Sequence, residues 1–177
     1  SGCLAYLVVA GAEAAVVDPL RAFAARYPED AAARGASLTS ALDTHVHADH
    51  VSGVRDVAEA TGARAVLPEG ARDRGLTFDA DLVADGETVA VGDASLEAVH
   101  VPGHTSEMTA FRLATDERDL LFAGDLAFQN GLARPDLEAG DEGARDLARD
   151  LHGSLTGTLF ALDDETLVLP AHRGPAS

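Results

Sequence analysis

The chain contains no lysine. All 13 of its basic residues are arginine, set against 30 aspartates and glutamates, for a formal charge of −17. Nucleic-acid backbones are gripped by clusters of Lys and Arg, so this balance argues against nucleic acid as a substrate. Cysteine is nearly absent too. Cys3 is the only one, which excludes an intramolecular disulfide, and it reads as a small buried apolar residue, the usual packing of a free thiol. No apolar run reaches the ~18 residues of a membrane-spanning helix. The N-terminus lacks the basic stretch and long apolar segment of a secretory signal, so a cytoplasmic protein is expected. Aromatic residues make up only 5%. Few aromatics with high charge can signal disorder, but apolar periodicity runs through the whole chain and points to a packed fold. A lysine-free carboxylate surface suits a halophilic, high-salt cytoplasm, where screening limits self-repulsion. Thermal stability should then rise with salt; a protein equally stable without added salt would contradict this assignment.

What is present is ample core material. The 177 residues, 46% of them hydrophobic, suit a single domain over 1–177, trimmed at both ends. Leu4 to Val9 and Ala14 to Asp18 read as a hairpin about Gly11-Ala12-Glu13, with Asp18-Pro19 stopping the second strand. Leu20 to Tyr27 reads as a helix interrupted by Pro28, and a second short helix runs over Glu29 to Arg34. Leu38 to Asp43 reads as a buried strand. Val51 to Thr61 has helical spacing and ends at Gly62, and Ala63 to Leu67 is a further strand. The middle is richer in β-structure, with strands over Leu82 to Ala84, Thr88 to Val91, Ser95 to Val101, Thr109 to Ala114 and Asp119 to Ala123. A helix over Asp141 to Leu162, weakened at Gly153 and Gly157, precedes a last strand, Thr166 to Leu169. Arg134 to Gly143 is the one long polar loop. This order is an α/β pattern.

The stretch Thr44-His45-Val46-His47-Ala48-Asp49-His50 stands apart. Three histidines and an aspartate fall within six positions, and imidazole with carboxylate is the ligand set of Zn, Fe or Mn. The stretch lies between a strand and a helix, where open α/β sheets place their sites. Asp49 and His50 can face a second position beside that of His45 and His47. Three further donors follow strands: His104 in Pro102-Gly103-His104-Thr105, Asp125 in Ala123-Gly124-Asp125, and His172 in Pro170-Ala171-His172. Each turn carries Gly or Pro, where backbone can approach an ion closely. His100, on a strand, and His152, on the long helix, lie outside these motifs.

Taken together, the four motifs resemble the metallo-β-lactamase superfamily across nearly the whole chain. The resemblance implies a four-layer αββα sandwich with a metal site at one edge of the two sheets. In dinuclear members, residues matching His45, His47 and His104 hold one ion, those matching Asp49, His50 and His172 hold a second, and the Asp125 position bridges. Within the superfamily the chain looks most like the persulfide dioxygenases, and next like glyoxalase II. The opening Gly2-Cys3-Leu4-Ala5-Tyr6, the Val17-Asp18-Pro19 strand end and Ala133-Arg134-Pro135-Asp136 carry this closer likeness, with Ala133 standing where the family has glycine. The dioxygenase likeness implies one Fe(II) on His45, His104 and Asp125, oxidising the sulfane sulfur of a low-molecular-weight thiol persulfide to sulfite with O2. His47 and Asp49 are then the candidate catalytic residues around the ion, Asp49 moving protons, and Arg134 a binder of a carrier carboxylate. The glyoxalase II likeness implies a thioester hydrolase with two Zn, or mixed Zn and Fe. Relatives continue past the position of His172, so a further C-terminal segment or a rhodanese-like sulfurtransferase, fused or separate, and a homodimer would fit the same likeness.

Overall fold

Side-chain alternation decides how the layers form. On the strand Glu13–Val17, Ala15 and Val17 face one apolar cluster while Ala14 and Val16 face another. On Leu120–Gly124, Phe122 joins the first of these, and Leu121 and Ala123 join a third. A period-2 strand that is apolar on both faces must be covered on both, and both sheets here are. The computed structural model describes residues 2–138 and 140–173.

The first sheet orders β1 (Tyr6–Ala10), β2 (Glu13–Val17), β3 (Ser37–Leu42), β4 (Arg64–Pro68) and β5 (Asp81–Val83) side by side. The first pair is antiparallel and the rest are parallel. The second sheet combines β6 (Thr88–Val91), β7 (Ala94–His100), β8 (Thr109–Leu113) and β9 (Leu120–Gly124). It is antiparallel except that β12 (Leu167–Pro170) joins β9 in parallel. A short hairpin, β10 (Ala127–Phe128) and β11 (Gly131–Leu132), stands apart. Between the sheets lie Val17, Leu42, Val66, Leu96, Phe111 and Phe122. Each such side chain, when fully buried, contributes about 1.5–3 kcal/mol. Helices α1 (Arg26–Ala32) and α2 (Val54–Thr61) cover the first sheet. Helix α3 (Gly140–Gly157) covers the second through Leu151 and Leu155. The expected αββα sandwich is the fold.

Three local expectations need correction. Leu20 to Tyr27 is not one helix. A single 3-10 turn spans Arg21–Phe23, and α1 starts at Arg26 and runs through Pro28. Pro28 is the third helical residue, where the missing N–H has no intrahelical partner to lose, so it serves the helix start instead of interrupting it. Helix α2 begins at Val54 instead of Val51. The residues before it are pinned to the Pro19–Arg21 segment, with Gly53 N–H donating to the Pro19 carbonyl at 2.6 Å and Arg21 N–H to the Val51 carbonyl at 3.0 Å. The glycines beside the ligands admit protein, not an ion. A Cβ on Gly103, at φ +144°, would lie 2.4 Å from Leu151 Cα, and one on Gly124, at φ +53°, 2.6 Å from Thr44 Oγ1. Helix α3 therefore sits directly on the backbone that presents His104. Among the described residues, no helix is long and apolar enough to cross a membrane.

Candidate metal centre

The seven predicted donors sit on loops at one end of both sheets. His45, His47, Asp49 and His50 follow β3. His104 follows β7, Asp125 follows β9 and His172 follows β12. The loop after β3 is organised by Asp18, whose neighbour Val17 is registered with Leu42 across the β2–β3 pair. Asp18 is buried and is the only non-glycine residue with positive φ, at 51°, among the described residues. Its Oδ1 accepts the Thr44 backbone N–H at 2.8 Å, and the Thr44 hydroxyl donates to the same carboxylate at 3.0 Å. With its proton committed there, Thr44 Oγ1 accepts from His45 Nδ1 at 3.0 Å. That assigns the His45 tautomer and leaves the Nε2 lone pair free; Nε2 is buried and has no hydrogen-bond partner.

The same logic orients the other imidazoles. His47 Nε2–H donates to Asp18 Oδ1 at 3.2 Å, with Asp43 Oδ1 at 3.7 Å, leaving Nδ1 buried and unpartnered. His104 Nδ1–H donates to the Arg134 carbonyl at 3.2 Å, which turns its Nε2 to within 3.5 Å of Asp125 Oδ2. His172 Nε2 lies 3.2 Å from Asp49 Oδ2 and 3.5 Å from Asp125 Oδ1. His50 Nδ1 meets Asp49 Oδ1 at 3.2 Å while its Nε2 is buried without a partner. One donor atom from each of His45, His104 and Asp125 lies within 4.8 Å of the other two. Each buried polar atom left unpaired costs about 1–3 kcal/mol. Imidazole and carboxylate lone pairs gathered in one spot are therefore what a cation position requires.

The charges agree with that use. Burial, with His47 and His104 nearby, pushes the His45 imidazole well below its ordinary value, so it is neutral and competent as a ligand at neutral pH. Burial also pulls on His47, but its hydrogen bonds to Asp18 and Asp43 outweigh this and hold it well above the ordinary value. Burial raises the Asp125 carboxyl, against the pull of His172 and His104. Asp49 goes the other way: burial opposes, but His50 and His172 draw it below the usual carboxylate range.

Several supporting residues lie outside the predicted donor set. Asp18, expected as a strand stop within the family-like Val17-Asp18-Pro19 stretch, and Asp43, expected as the last residue of a buried strand, together hold His47. Glu107 is buried and accepts the Val46 N–H at 3.0 Å, gripping the backbone between His45 and His47. Its other oxygen faces Arg74 at 3.9 Å, and Arg74 in turn pairs with Glu138 at 2.5 Å. The only available signal was its place three residues after His104. Cys3 also departs from expectation: it is half-buried, and its thiol donates to Asp49 Oδ2 at 3.6 Å. Arg134 contributes its carbonyl to His104, while its exposed guanidinium forks onto Asp136 at 3.0 and 2.7 Å. A cavity of ≈ 510 Å³ lies on the α2 side of the ligand loop, where Val46, Val51 and Phe78 line it beside Arg21 and Arg55. It reaches His47 and Asp43, away from the His45, His104 and Asp125 donors. His100 is held by the Ser106 carbonyl at 2.9 Å, on a strand and clear of the site.

Known proteins resemble this chain in sequence and fold. The chain is 39% identical to a hydroxyacylglutathione hydrolase of Methylococcus capsulatus over 159 residues, 90% of this chain and 57% of the relative. It is 31% identical to the human mitochondrial persulfide dioxygenase ETHE1 over 163 residues, 90% of this chain and 59% of the relative. It therefore spans less than two thirds of either curated protein. The crystal structure of ETHE1 from Myxococcus xanthus superposes with a TM-score of 0.83 at 32% identity, covering 97% of this chain and 71% of that one. The family profile of the metallo-beta-lactamase superfamily matches residues 1–172. With that profile spanning both sheets and all four ligand-bearing loops, this chain belongs to the metallo-beta-lactamase superfamily.

Proposed function

We propose that this domain is a mononuclear Fe(II) persulfide dioxygenase, oxidising the sulfane sulfur of a low-molecular-weight thiol persulfide to sulfite with O2. One observation carries the reading. Donor atoms of His45, His104 and Asp125 form a group within 4.8 Å. Two imidazoles and one carboxylate leave open positions and suit non-haem iron. Bound there, Fe(II) would supply the redox chemistry that joins O2 to sulfur.

The protein's part is orientation and proton handling. Thr44 and the Arg134 carbonyl keep Nδ1 of His45 and His104 protonated, so both Nε2 atoms face inward. Net conversion of RSSH, O2 and water to RSH and sulfite releases two protons. Asp49, ionised, partly exposed and 3.2 Å from His172, is placed to pass protons outward. Arg134 exchanges Asp136 for a carboxylate of the thiol carrier, which its planar fork suits.

The second reading is a dinuclear thioester hydrolase of the glyoxalase II type, in which two ions lower the pKa of a bound water. It is supported by the unpartnered Nε2 atoms of His50 and His172 beside Asp49, and by the likeness to hydroxyacylglutathione hydrolase. The two readings separate on one preparation. Protein made in iron-replete cells should carry about one Fe per chain, consume O2 with glutathione persulfide, and leave acyl-glutathione intact. Two Zn per chain, thioester hydrolysis and no O2 uptake would reverse the choice.

A further inference from the structure

Two carboxylates outside the donor set brace the loops that carry the donors, and one arginine joins them. Glu107 sits three residues after His104, and its Oε1 accepts the Val46 N–H between His45 and His47 at 3.0 Å. Glu138 sits four residues after Arg134, whose carbonyl holds His104. It accepts the Ser106 N–H at 2.6 Å and the Ser106 hydroxyl at 2.8 Å. Each carboxylate therefore ties one loop to another. Arg74, at the end of a 3-10 stretch over Glu69–Arg74, reaches both. Its Nη1 stands 2.5 Å from Glu138 Oε1 and its Nε 3.9 Å from Glu107 Oε2. That Glu107 oxygen is buried and has no hydrogen-bond partner, and among the described residues Arg74 is the only cation within 4.0 Å of it. Gly70 lets the stretch lie against Glu107, since a Cβ there would fall 2.6 Å from Glu107 Cβ.

We propose that Arg74 is a positioning residue for the metal centre, holding Glu107 and Glu138 so that the loops bearing His45, His47 and His104 keep one spacing. It acts through other residues, and the inference rests on the metal-dependent reading of the loop cluster, not on which reaction runs there. A buried carboxylate that loses its countercharge is costly to keep buried, and it relaxes by turning toward water. For Glu107 that movement releases the Val46 N–H and frees the backbone between His45 and His47. Glu138, released from Arg74, keeps only Ser106, and the segment that offers the Arg134 carbonyl to His104 loosens with it. Arginine suits the position because its fork addresses the two carboxylates from Nη1 and Nε at once, whereas lysine presents a single point charge. Arg74 is 28% exposed, lines two cavities of ≈ 510 and ≈ 900 Å³, and belongs to none of the apolar clusters. Its truncation therefore removes charge without opening the core.

Co(II) titration of the metal-free chain against a competing chelator, read through the visible d–d bands of the first equivalent, tests this. Arg74→Ala should bind cobalt at least ~10-fold more weakly and shift the bands, because the donors no longer hold one geometry. Arg74→Lys should recover part of the affinity, since one ammonium can meet Glu138 but not both carboxylates. Arg74→Gln, which keeps the length without the charge, gives the same reading should the alanine variant not fold. Arg112→Ala, which breaks an ion pair with Asp119 along β8 and β9, should leave affinity and bands as in wild type. Unchanged affinity and bands in Arg74→Ala, with or without a lower melting temperature, overturn the positioning role. So does an equal change in Arg112→Ala. Wild-type protein that takes up no cobalt removes the metal-dependent reading, and this proposal with it.

Discussion

Asp125→Ala should leave a folded chain that no longer retains metal and has no more than background activity. Asp125 supplies the only carboxylate of the three-donor group, and its oxygens lie 3.5 Å from both His104 and His172. Loss of a direct ligand should exceed the ~10–100-fold penalty of losing an outer partner, so bound iron should fall from about one per chain to near zero. Stability separates this role from a structural one. Burial raises the Asp125 carboxyl, so its folded pKa lies above the unfolded one. Its contribution is then most favourable below the unfolded pKa and is lost as pH rises through the folded pKa. The metal-free protein therefore loses stability through this group as pH rises, and metal-free Asp125→Ala should show a flatter dependence of melting on pH than metal-free wild type. A variant that keeps its iron, or whose melting keeps the wild-type pH dependence, would sink the assignment.

Asp18→Asn should cut metal affinity and turnover by about 10–100-fold without unfolding the protein. Asp18 touches no ion position itself. It accepts from the Thr44 N–H, the Thr44 hydroxyl and His47, and through Thr44 it sets the His45 tautomer. Asparagine is among the residues most tolerant of positive φ, so the 51° backbone at this position is preserved and the change isolates the charge. An amide presents N–H where three donors converge, so one of them must lose its acceptor. The His47 imidazole, held up by Asp18 and Asp43 against burial, should also fall toward its ordinary value. Titration of the His47 ring in the metal-free protein by NMR checks this directly. Unchanged metal content and rate would show that Asp43 alone suffices.

How far these features were legible depends on how local their signals are. The cluster from His45 to His50 is contiguous, and the donors at 104, 125 and 172 each follow a recognisable strand, so their placement on loops after β3, β7, β9 and β12 could be read before any coordinates. The four-layer sandwich was legible only through the family likeness that these motifs carry. Asp18 was unreadable because its role arises across the β2–β3 pair, from register and a left-handed backbone that no dipeptide reveals. Pro28 misled because its cost depends on where the helix begins. Cys3 misled because free thiols usually bury themselves, and only pairing with the far end of the chain brings this one to the loop cluster. Glu107 carries no motif of its own, since its function is a single hydrogen bond to Val46.

The donors are divided between the two halves of the sandwich. His45 stands at the end of a first-sheet strand, while His104 and Asp125 stand at the ends of second-sheet strands. An ion gripped by all three would act as a rivet across the open rim, where the apolar interior gives out. Chelation should then let the rim splay before the interior melts, and amide exchange in metal-stripped protein should quicken first around Thr44 and Thr109, whose direct bond at 2.8 Å is the seam beneath that rivet.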